Sequence, residues 1–220
     1  MRSRSEIISL LTNPGIIAVV RTDRPEQVLP ICEALLAGGV LAVEITLTVP
    51  RALEAIRKAS RQFGRAVIGV GTVLDARSCS AAIAAGAEFV VSPITKLEIL
   101  QAAHAAERPA MLGAYTPTEA QAAHEAGADF IKIFPADKLG PAYIRALRAP
   151  LPHLRIVPTG GVDLQTASDF LKAGCLALGV GSSLLTSEIL RTSNWPELAR
   201  LAKSFVEIAI RTKLDRQSLA

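Results

Sequence analysis

Residues 110–134 read AMLGAYTPTEAQAAHEAGADFIKIF and contain one complete strand–helix–strand unit. The apolar run at 110–114 is followed by a helix start at Pro117 and Glu119, because proline suits the first turn of a helix and an acidic side chain complements its N-terminus. The alanine-rich segment then reaches Gly127, a residue type that readily ends a helix in the left-handed conformation. A second apolar run follows at 130–134. The segment therefore predicts two parallel strands joined by a crossover helix.

The same unit repeats along the whole chain. Short β-branched runs alternate with alanine- and leucine-rich amphipathic segments at a spacing of roughly 20–25 residues, which leaves room for a crossover helix each time. Glycines follow several predicted helices, at Gly38-Gly39, Gly86, Gly127 and Gly174. The predicted strands cover residues 16–21, 40–46, 66–71, 88–92, 110–114, 130–134, 155–159 and 176–179.

Eight evenly spaced units predict an α/β fold, a (β/α)8 TIM barrel, organised as a single domain over residues 1–220. An open doubly wound sheet uses the same units, but no Gly-x-Gly-x-x-Gly motif follows the first predicted strand, so the closed barrel is favoured. Residues before Gly15 predict an N-terminal helix that caps the bottom of the barrel. The segment from Trp195 to about Arg211 predicts the closing helix.

The overall composition predicts a cytoplasmic protein without a nucleic-acid or membrane partner. The formal net charge is +4, and the basic residues are scattered, with no aromatic residues interleaved as a nucleic-acid surface requires. Asn13-Pro14-Gly15 interrupts the apolar N-terminal stretch, which argues against a signal peptide or a membrane span there. The three cysteines are an odd number in apolar surroundings, which is typical of reduced thiols.

Lys132 is the most informative single residue, because it interrupts the apolar run Phe130-Ile131-Lys132-Ile133-Phe134. Strand alternation puts the lysine and the phenylalanines on one face and the isoleucines on the other. If the isoleucines face the helices, the amine points into the barrel near its C-terminal mouth. Burying an unpaired ammonium is costly, and a free amine condenses with a ketone to an iminium that permits cleavage of the adjacent carbon–carbon bond. A structural lysine paired with a carboxylate is the alternative interpretation.

Glu44 lies near the end of the second predicted strand, on the same face as Ala42 and Thr46. Because it is four strands away from Lys132 in a ring of eight, its carboxyl group is expected across the barrel interior from the amine. A carboxyl group there can transfer protons during carbinolamine formation and dehydration, and at the hydroxyl of the bond that breaks. The pair predicts a lysine-dependent aldolase, with a structural ion pair as the open alternative.

Two glycine-rich segments, PTGGV at 158–162 and GVGSS at 179–183, follow the last two predicted strands. Glycines let backbone amides approach an anion closely, and a helix start after strand eight would add a favourable dipole. TIM barrels commonly hold a phosphate at this place. The segments predict a phosphorylated substrate, with simple tight turns as the alternative.

Two more features at the predicted mouth suit a substrate carboxylate. The segment GVGTVL at 69–74 offers backbone amides and the hydroxyl of Thr72. Arg21, at the end of the first predicted strand, offers a planar guanidinium group. Either feature could equally belong to an ordinary barrel rim. No metal and no organic cofactor are predicted, because the histidines, at positions 104, 124 and 153, lack ligand spacing.

Six motifs occur in order along the chain: VEITL, GVGTVLD, VVSPI, DFIKIFPA, PTGGV and GVGSSL. With these motifs the chain resembles the bacterial 2-keto-3-deoxy-6-phosphogluconate (KDPG) aldolases over almost its whole length. The resemblance implies a class I aldolase on a (β/α)8 barrel, a homotrimer that cleaves KDPG to pyruvate and glyceraldehyde 3-phosphate. It also implies activity on 4-hydroxy-2-oxoglutarate, which many members cleave to pyruvate and glyoxylate.

The resemblance also implies roles for individual residues. Lys132 matches the Schiff-base lysine and Glu44 the acid/base glutamate. The substrate pocket is matched by Thr72, Pro93, Phe134 and Thr159, and the phosphate site by Gly160, Gly161, Gly181, Ser182 and Ser183.

Thr48 departs from the family pattern, because well-known members carry an arginine in this segment. Arg21 is the candidate replacement as the partner of the pyruvate carboxylate. An arginine at the end of strand one resembles the relatives that cleave 2-keto-3-deoxy-6-phosphogalactonate, so the choice between the two epimeric substrates stays open. The second departure is Leu112-Gly113, where the family often has Pro-Gly.

Two rival functions remain compatible with the residues alone. One is a non-catalytic phosphosugar-binding barrel in which Lys132 and Glu44 form a structural pair. The other is a phosphosugar isomerase or epimerase, which would need a metal or a pair of acids at the strand ends, and the sequence offers neither.

Overall fold

The computed structural model describes residues 2–217. Strands and helices alternate throughout. The strands are β1 (Ile16–Val20), β2 (Ala42–Thr46), β3 (Val67–Gly71), β4 (Phe89–Val91), β5 (Ala110–Ala114), β6 (Phe130–Ile133), β7 (Ile156–Pro158) and β8 (Leu178–Val180). The helices are α1 (Arg4–Thr12), α2 (Val28–Ala37), α3 (Ala52–Gln62), α4 (Ala76–Ala84), α5 (Leu97–Ala105), α6 (Pro117–Glu125), α7 (Gly140–Arg148), α8 (Ala167–Lys172), α9 (Ser187–Thr192) and α10 (Trp195–Gln217), with a 3-10 turn at Pro25–Gln27 before α2.

The eight strands form one parallel ring. Each strand from β1 to β7 pairs in parallel with its successor, and β1 also pairs with β8. The ring closes between β7 and β8 through a parallel bridge between Thr159 and Gly179 and a hydrogen bond of 3.0 Å from Leu176 N to Ile156 O. The predicted (β/α)8 barrel is confirmed, and the open doubly wound sheet is wrong.

The strand–helix–strand unit at 110–134 shows how the local sequence determines where a helix begins and ends. Thr116 caps α6 through a capping box in which its hydroxyl accepts from Glu119 N, and the Glu119 carboxylate accepts from Thr116 N at 2.8 Å. Pro117 occupies the first turn, as predicted. Gly127 has φ 97°, so it ends the helix in the conformation that disfavours other residues.

Helix α1 plugs the bottom of the barrel, which confirms the predicted capping helix. Ile7 and Leu11 are fully buried and pack into the apolar interior cluster that includes Phe89 and Phe130. Arg4 fixes the helix by an ion pair of 2.7 Å to Asp129, the residue before β6. Apolar side chains therefore fill the lower interior of the barrel, and the interior opens toward the C-terminal end of the ring.

Most predicted strands are one or two residues too long. The sequence pattern places Arg21, Phe134 and Thr159 inside strands. In the structure they directly follow the last residues of β1, β6 and β7, respectively. Their side chains continue the inward alternation beyond these last residues, so the sequence pattern extends further than the strands. The predicted closing helix is longer than expected, because α10 continues to Gln217.

The cysteines and the helix lengths bear on where the chain could be located. The three cysteines, Cys32, Cys79 and Cys175, are free and buried. None of the helices between residues 2 and 217 combines the length and the apolar character that a membrane crossing requires.

Candidate active site

A cavity of about 580 Å³ opens at the C-terminal end of the barrel. It brings together every predicted site residue except Ser183. The lining residues are Val19, Arg21, Glu44, Thr48, Thr72, Pro93, Lys132, Phe134, Thr159, Gly160, Gly161, Val162, Gly181, Ser182 and Leu185. They come from the strands and βα loops around the ring, the place where TIM barrels build their active sites.

Lys132 projects from β6 into this cavity and is 5 % exposed. Its Nζ lies 5.0 Å from the centroid of the Phe134 ring, which gives the amine a cation–π contact. Among residues 2–217, no hydrogen-bond acceptor or carboxylate partner engages the amine. A close structural ion pair with Glu44 is therefore absent, and the amine is available to a ligand in the cavity.

Glu44 is the third residue of β2 and is 2 % exposed. Its Oε1 atom is buried without a hydrogen-bond partner in the part of the chain that the structure describes. Burial raises the pKa of the carboxyl group, and the positive charges of Lys132 and Arg21 oppose that rise without cancelling it. A carboxyl group with a raised pKa keeps its proton to a higher pH than an ordinary carboxyl group, which suits a general acid/base.

The two glycine segments form one side of the cavity. Gly160 and Gly161 have φ of 89° and 70°, in the left-handed region that favours glycine. At Gly161 a Cβ atom would also lie 2.4 Å from Cβ of Asp137. The sequence PTGGV is therefore required by the loop conformation, and it brings the backbone close to the cavity.

The prediction of a helix start directly after strand eight is wrong. A single turn follows β8, in which Leu184 N and Leu185 N both donate to Gly181 O at 2.9 Å, and α9 begins only at Ser187. Ser183 lies in this turn without lining the cavity. A phosphate here would be held by turn amides and not by the dipole of a regular helix.

Thr72, Thr159 and Arg21 occupy three other sides of the mouth. Thr72 has φ 60°, an uncommon conformation for a threonine that costs on the order of 1 kcal/mol and tends to persist at functional positions. The Thr159 hydroxyl lies against Gly179, where a Cβ atom would come within 2.3 Å of it. Arg21 is exposed at the rim, where its guanidinium group can reach an anion in the cavity.

Thr48 also lines the cavity, at the position where an arginine was expected from the resemblance. Its hydroxyl lies 2.8 Å from that of Thr46, which donates to Val20 O at 3.1 Å. The Thr48 hydroxyl therefore donates to Thr46. The neutral side chain leaves Arg21 and Lys132 as the cationic residues that line the cavity.

Val19, Val162 and Leu185 line the cavity although the sequence had not singled them out. Val19 could have been found, because it shares the inward face of β1 with Ile17 and precedes Arg21 by two residues. Val162 and Leu185 lie in loops, where alternation carries no information.

The histidines lie away from the cavity. His104 contacts Asp129 at the bottom of the barrel, and His124 packs against His153 with the ring centroids 4.6 Å apart and the ring planes tilted by 50°. Within residues 2–217, no group of three or more histidine, cysteine or acidic side chains is arranged to hold a metal ion.

Comparison with known proteins identifies the group to which this site belongs. The model of the KDPG and KHG aldolases, where KHG is 2-keto-4-hydroxyglutarate, matches residues 7–201. The chain belongs to the KDPG and KHG aldolase family. The resemblance seen in the motifs is thus confirmed, and so is the prediction of an aldolase, a carbon–carbon lyase.

Three members of the KDPG and KHG aldolase family indicate the range of the resemblance. The 2-dehydro-3-deoxy-phosphogluconate aldolase of Pseudomonas aeruginosa is 36% identical over 204 residues, covering 92% of this chain and 93% of that protein. The 2-dehydro-3-deoxy-6-phosphogalactonate aldolase of Escherichia coli K12 is 36% identical over 175 residues, covering 79% and 85%. The crystal structure of KDPG aldolase from Legionella pneumophila, captured with pyruvate as a covalent carbinolamine intermediate, superposes with a TM-score of 0.79 at 27% identity and covers 94% of this chain and 97% of that one.

Proposed function

We propose that the chain is a class I aldolase in which Lys132 forms a Schiff base with the 2-oxo group of a phosphorylated sugar acid, with KDPG as the substrate. The observation that carries the proposal is the buried, unpartnered Lys132 amine in the same cavity as the buried Glu44 carboxyl group. The relative from Legionella pneumophila holds pyruvate as a covalent carbinolamine, which is the first intermediate that this arrangement would form.

The proposed reaction begins when the Lys132 amine attacks C2 of the substrate and forms a carbinolamine. Glu44, in its protonated form, donates a proton to the C2 hydroxyl, which leaves as water and gives the iminium. The Glu44 carboxylate then takes the proton from the C4 hydroxyl while the C3–C4 bond breaks. The bonding electrons pass to the iminium and form an enamine, and glyceraldehyde 3-phosphate leaves. Protonation of the enamine at C3 and hydrolysis release pyruvate and restore the amine.

The phosphate is assigned to the glycine side of the cavity. Gly160, Gly161, Gly181 and Ser182 line it, and their backbone amides would bind the phosphate. Ser183 contributes through its backbone in this proposal, since its side chain position does not line the cavity. Thr72, Pro93, Phe134 and Thr159 would enclose the carbon chain of the substrate.

Arg21 is proposed as the partner of the substrate carboxylate. Thr48 offers a neutral hydroxyl where an arginine was expected, and Arg21 is the cation at the rim directly after the neighbouring strand β1. Replacement by Arg21→Gln is expected to raise the KM for pyruvate-yielding substrates about 10- to 150-fold, because a charge-assisted hydrogen bond contributes roughly 1.5–3 kcal/mol. A matched Arg24→Gln variant, one turn away and outside the cavity, is expected to leave KM unchanged.

The galactonate epimer of KDPG is the second candidate substrate. The combination of Arg21 and Thr48 favours it, because an arginine at the end of strand one resembles the phosphogalactonate branch. The ratio of kcat/KM for the two phosphorylated epimers, with 4-hydroxy-2-oxoglutarate as a third substrate, decides among them.

The decisive experiment traps the covalent intermediate. The protein is incubated with pyruvate and sodium borohydride, and the modified peptide is located by mass spectrometry. A stable adduct on Lys132, absent from Lys132→Met, is expected. A folded wild-type protein without an adduct would refute the Schiff-base mechanism and favour a non-catalytic phosphosugar-binding barrel, whereas interconversion of phosphosugars without cleavage would favour an isomerase.

We also propose a cytoplasmic homotrimer built from one domain over residues 1–220. Support for a homo-oligomer comes from exposed apolar side chains beyond the ends of neighbouring strands, namely Leu74, Ile94, Leu97 and Tyr115. The three buried free thiols suit a reducing compartment. Sedimentation equilibrium is expected to give three times the mass of one chain, and a monomer at micromolar concentration would contradict the trimer.

A further inference from the structure

Gly71 ends β3, and its missing side chain leaves the space that the Glu44 side chain occupies. A Cβ atom on Gly71 would lie 1.8 Å from Oε1, 2.5 Å from Cδ and 2.7 Å from Cγ of Glu44. Carbon atoms in contact normally stay about 3.5–4.0 Å apart. The carboxyl group therefore rests directly against the α-carbon of Gly71.

The backbone conformation of Gly71 does not call for glycine. Gly71 is absent from the residues with positive φ, in contrast to Gly160 and Gly161, and it pairs regularly with Thr46 in the ladder between β2 and β3. A residue with a side chain could adopt this conformation without strain. The requirement for glycine at this position is therefore one of space.

The surroundings of Glu44 show why the carboxyl group extends over Gly71. Val19 on β1 and Gly69 on β3 are its register partners on either side. The position over Gly69 is filled by the ring of Phe89, which would lie 2.4 Å from a Cβ atom there. With Phe89 below and Val19 on the other side, the open space beside Glu44 lies over Gly71.

We propose that Gly71 is a positioning residue of the aldolase site: its bare α-carbon allows the Glu44 carboxyl group to face the substrate beside Lys132. The inference rests on the proposed role of Glu44. Gly71 does not itself line the cavity, so it would act only through Glu44. The same position would be closed to alanine in any variant that keeps glutamate at position 44.

The test begins with Gly71→Ala. The atoms that the new methyl group would displace belong to the flexible end of Glu44, so the variant is expected to fold with a displaced carboxyl group. We expect kcat for the phosphorylated epimer that the wild type cleaves faster to fall about 100-fold, the loss that follows a displacement of roughly 1 Å at a reacting group. KM should change less than about threefold, because the ligand-contacting residues stay in place.

Gly64→Ala is the matched control. Nothing lies within 4 Å of the methyl group it adds, and Gly64 has no positive φ. Its kcat and KM are expected to equal those of the wild type.

A second variant separates positioning from a general structural effect. Glu44→Ala removes Cγ, Cδ and Oε1, the three atoms nearest to a Cβ atom on Gly71. In that background Gly71→Ala should lower kcat less than about threefold, so the two substitutions are strongly non-additive. Additive losses, or a crystal structure of Gly71→Ala in which Glu44 has not moved, would overturn the proposal.

The folding outcome is also decisive. If Gly71→Ala does not fold, the double variant with Glu44→Ala is expected to fold, because the atoms that clash with the new methyl group have been removed. Failure of both variants to fold would overturn the proposal. Failure of the proposed function is distinguishable, since it would appear as a wild-type protein without a pyruvate adduct on Lys132. A trapped wild type with an unaffected Gly71→Ala variant refutes only the role of Gly71.

Discussion

Replacement of Glu44 by glutamine is expected to make the protein more stable and much less active. The substitution keeps the shape of the side chain and removes its charge and its proton. A positioned general acid/base typically contributes a factor of about 10²–10⁴, so kcat should fall by that amount. The adduct with pyruvate and borohydride should form slowly, since the attack by Lys132 stays possible but dehydration loses its acid.

The gain in stability follows from the burial of Glu44. Its pKa is raised by burial, with Lys132 and Arg21 opposing the rise, and its Oε1 has no partner among residues 2–217. A buried polar group without a partner costs roughly 1–3 kcal/mol, more when it is charged. Because an amide is cheaper to bury than a carboxylate, we expect a gain of about 1 kcal/mol at neutral pH, or about 2–4 °C in Tm for a chain of this size.

The stability gained by Glu44→Gln should depend on pH in a defined direction. A carboxyl group whose pKa is higher in the folded state stabilises the fold while it is protonated. That contribution is lost as the pH rises from the ordinary value of 4.5 through the raised value. The difference in Tm between Glu44→Gln and the wild type should therefore be small near pH 4 and grow as the pH rises through the raised pKa. Differential scanning calorimetry across this range measures it, and a difference that shrinks with rising pH would contradict the assigned cause.

Three other substitutions probe separate parts of the molecule. Lys132→Met should abolish the adduct and turnover while leaving Tm equal or higher, as measured by mass spectrometry and calorimetry, because a buried amine without a hydrogen-bond acceptor among residues 2–217 is replaced by an apolar chain of similar length. Residual turnover above 1% of the wild type, which means a barrier raised by less than about 2.7 kcal/mol, would argue against a Schiff base at this residue. Leu11→Ala should lower the free energy of unfolding by about 2–5 kcal/mol in urea titrations, since Leu11 is 1% exposed inside the barrel plug, and a loss below 1 kcal/mol would mean that α1 is not part of the folded core. Asp129→Asn should lower the free energy of unfolding by about 1–3 kcal/mol in the same titrations. The reason is that the Asp129 carboxylate accepts hydrogen bonds from Arg4, His104 and Ala110 N at 2.7, 3.0 and 2.8 Å. An unchanged free energy of unfolding would show that these hydrogen bonds contribute nothing to stability.

The fold could be predicted from the sequence because its signals are local. The strand–helix–strand unit at 110–134 carries its own helix cap at Thr116 and its own helix end at Gly127, and the structure has both. Repeated eight times, such units leave a parallel ring as the arrangement that buries both faces of every strand. The errors lie at strand ends, where Arg21, Phe134 and Thr159 keep the inward alternation beyond the last residues of β1, β6 and β7.

The positions of Lys132 and Glu44 were predictable for the same reason. Alternation within one strand decides which face a residue occupies, and a charged residue on the inward face of a buried strand is conspicuous. The turn after β8 was not predictable in this way, because the sequence GVGSSLL is compatible both with a helix start and with a single turn. The structure has the single turn, in which Gly181 O accepts two backbone hydrogen bonds. Ser183 matches the phosphate site by the family resemblance, and its side chain does not line the cavity.

Gly71 illustrates information that no single strand contains. Within GVGTV it is indistinguishable from Gly69, since both are inward-facing glycines of β3. The two glycines differ only in the assembled sheet, where the register places Glu44 opposite Gly69 and Thr46 opposite Gly71. The ring of Phe89 then fills the space over Gly69, and the Glu44 carboxyl group fills the space over Gly71. Because that register is fixed by packing around the whole ring, the position of the carboxyl group relative to Lys132 depends on long-range pairing that local patterns do not encode. Residues that create room for a reactive group are therefore found from the assembled barrel, whereas the reactive groups themselves can be found from the sequence.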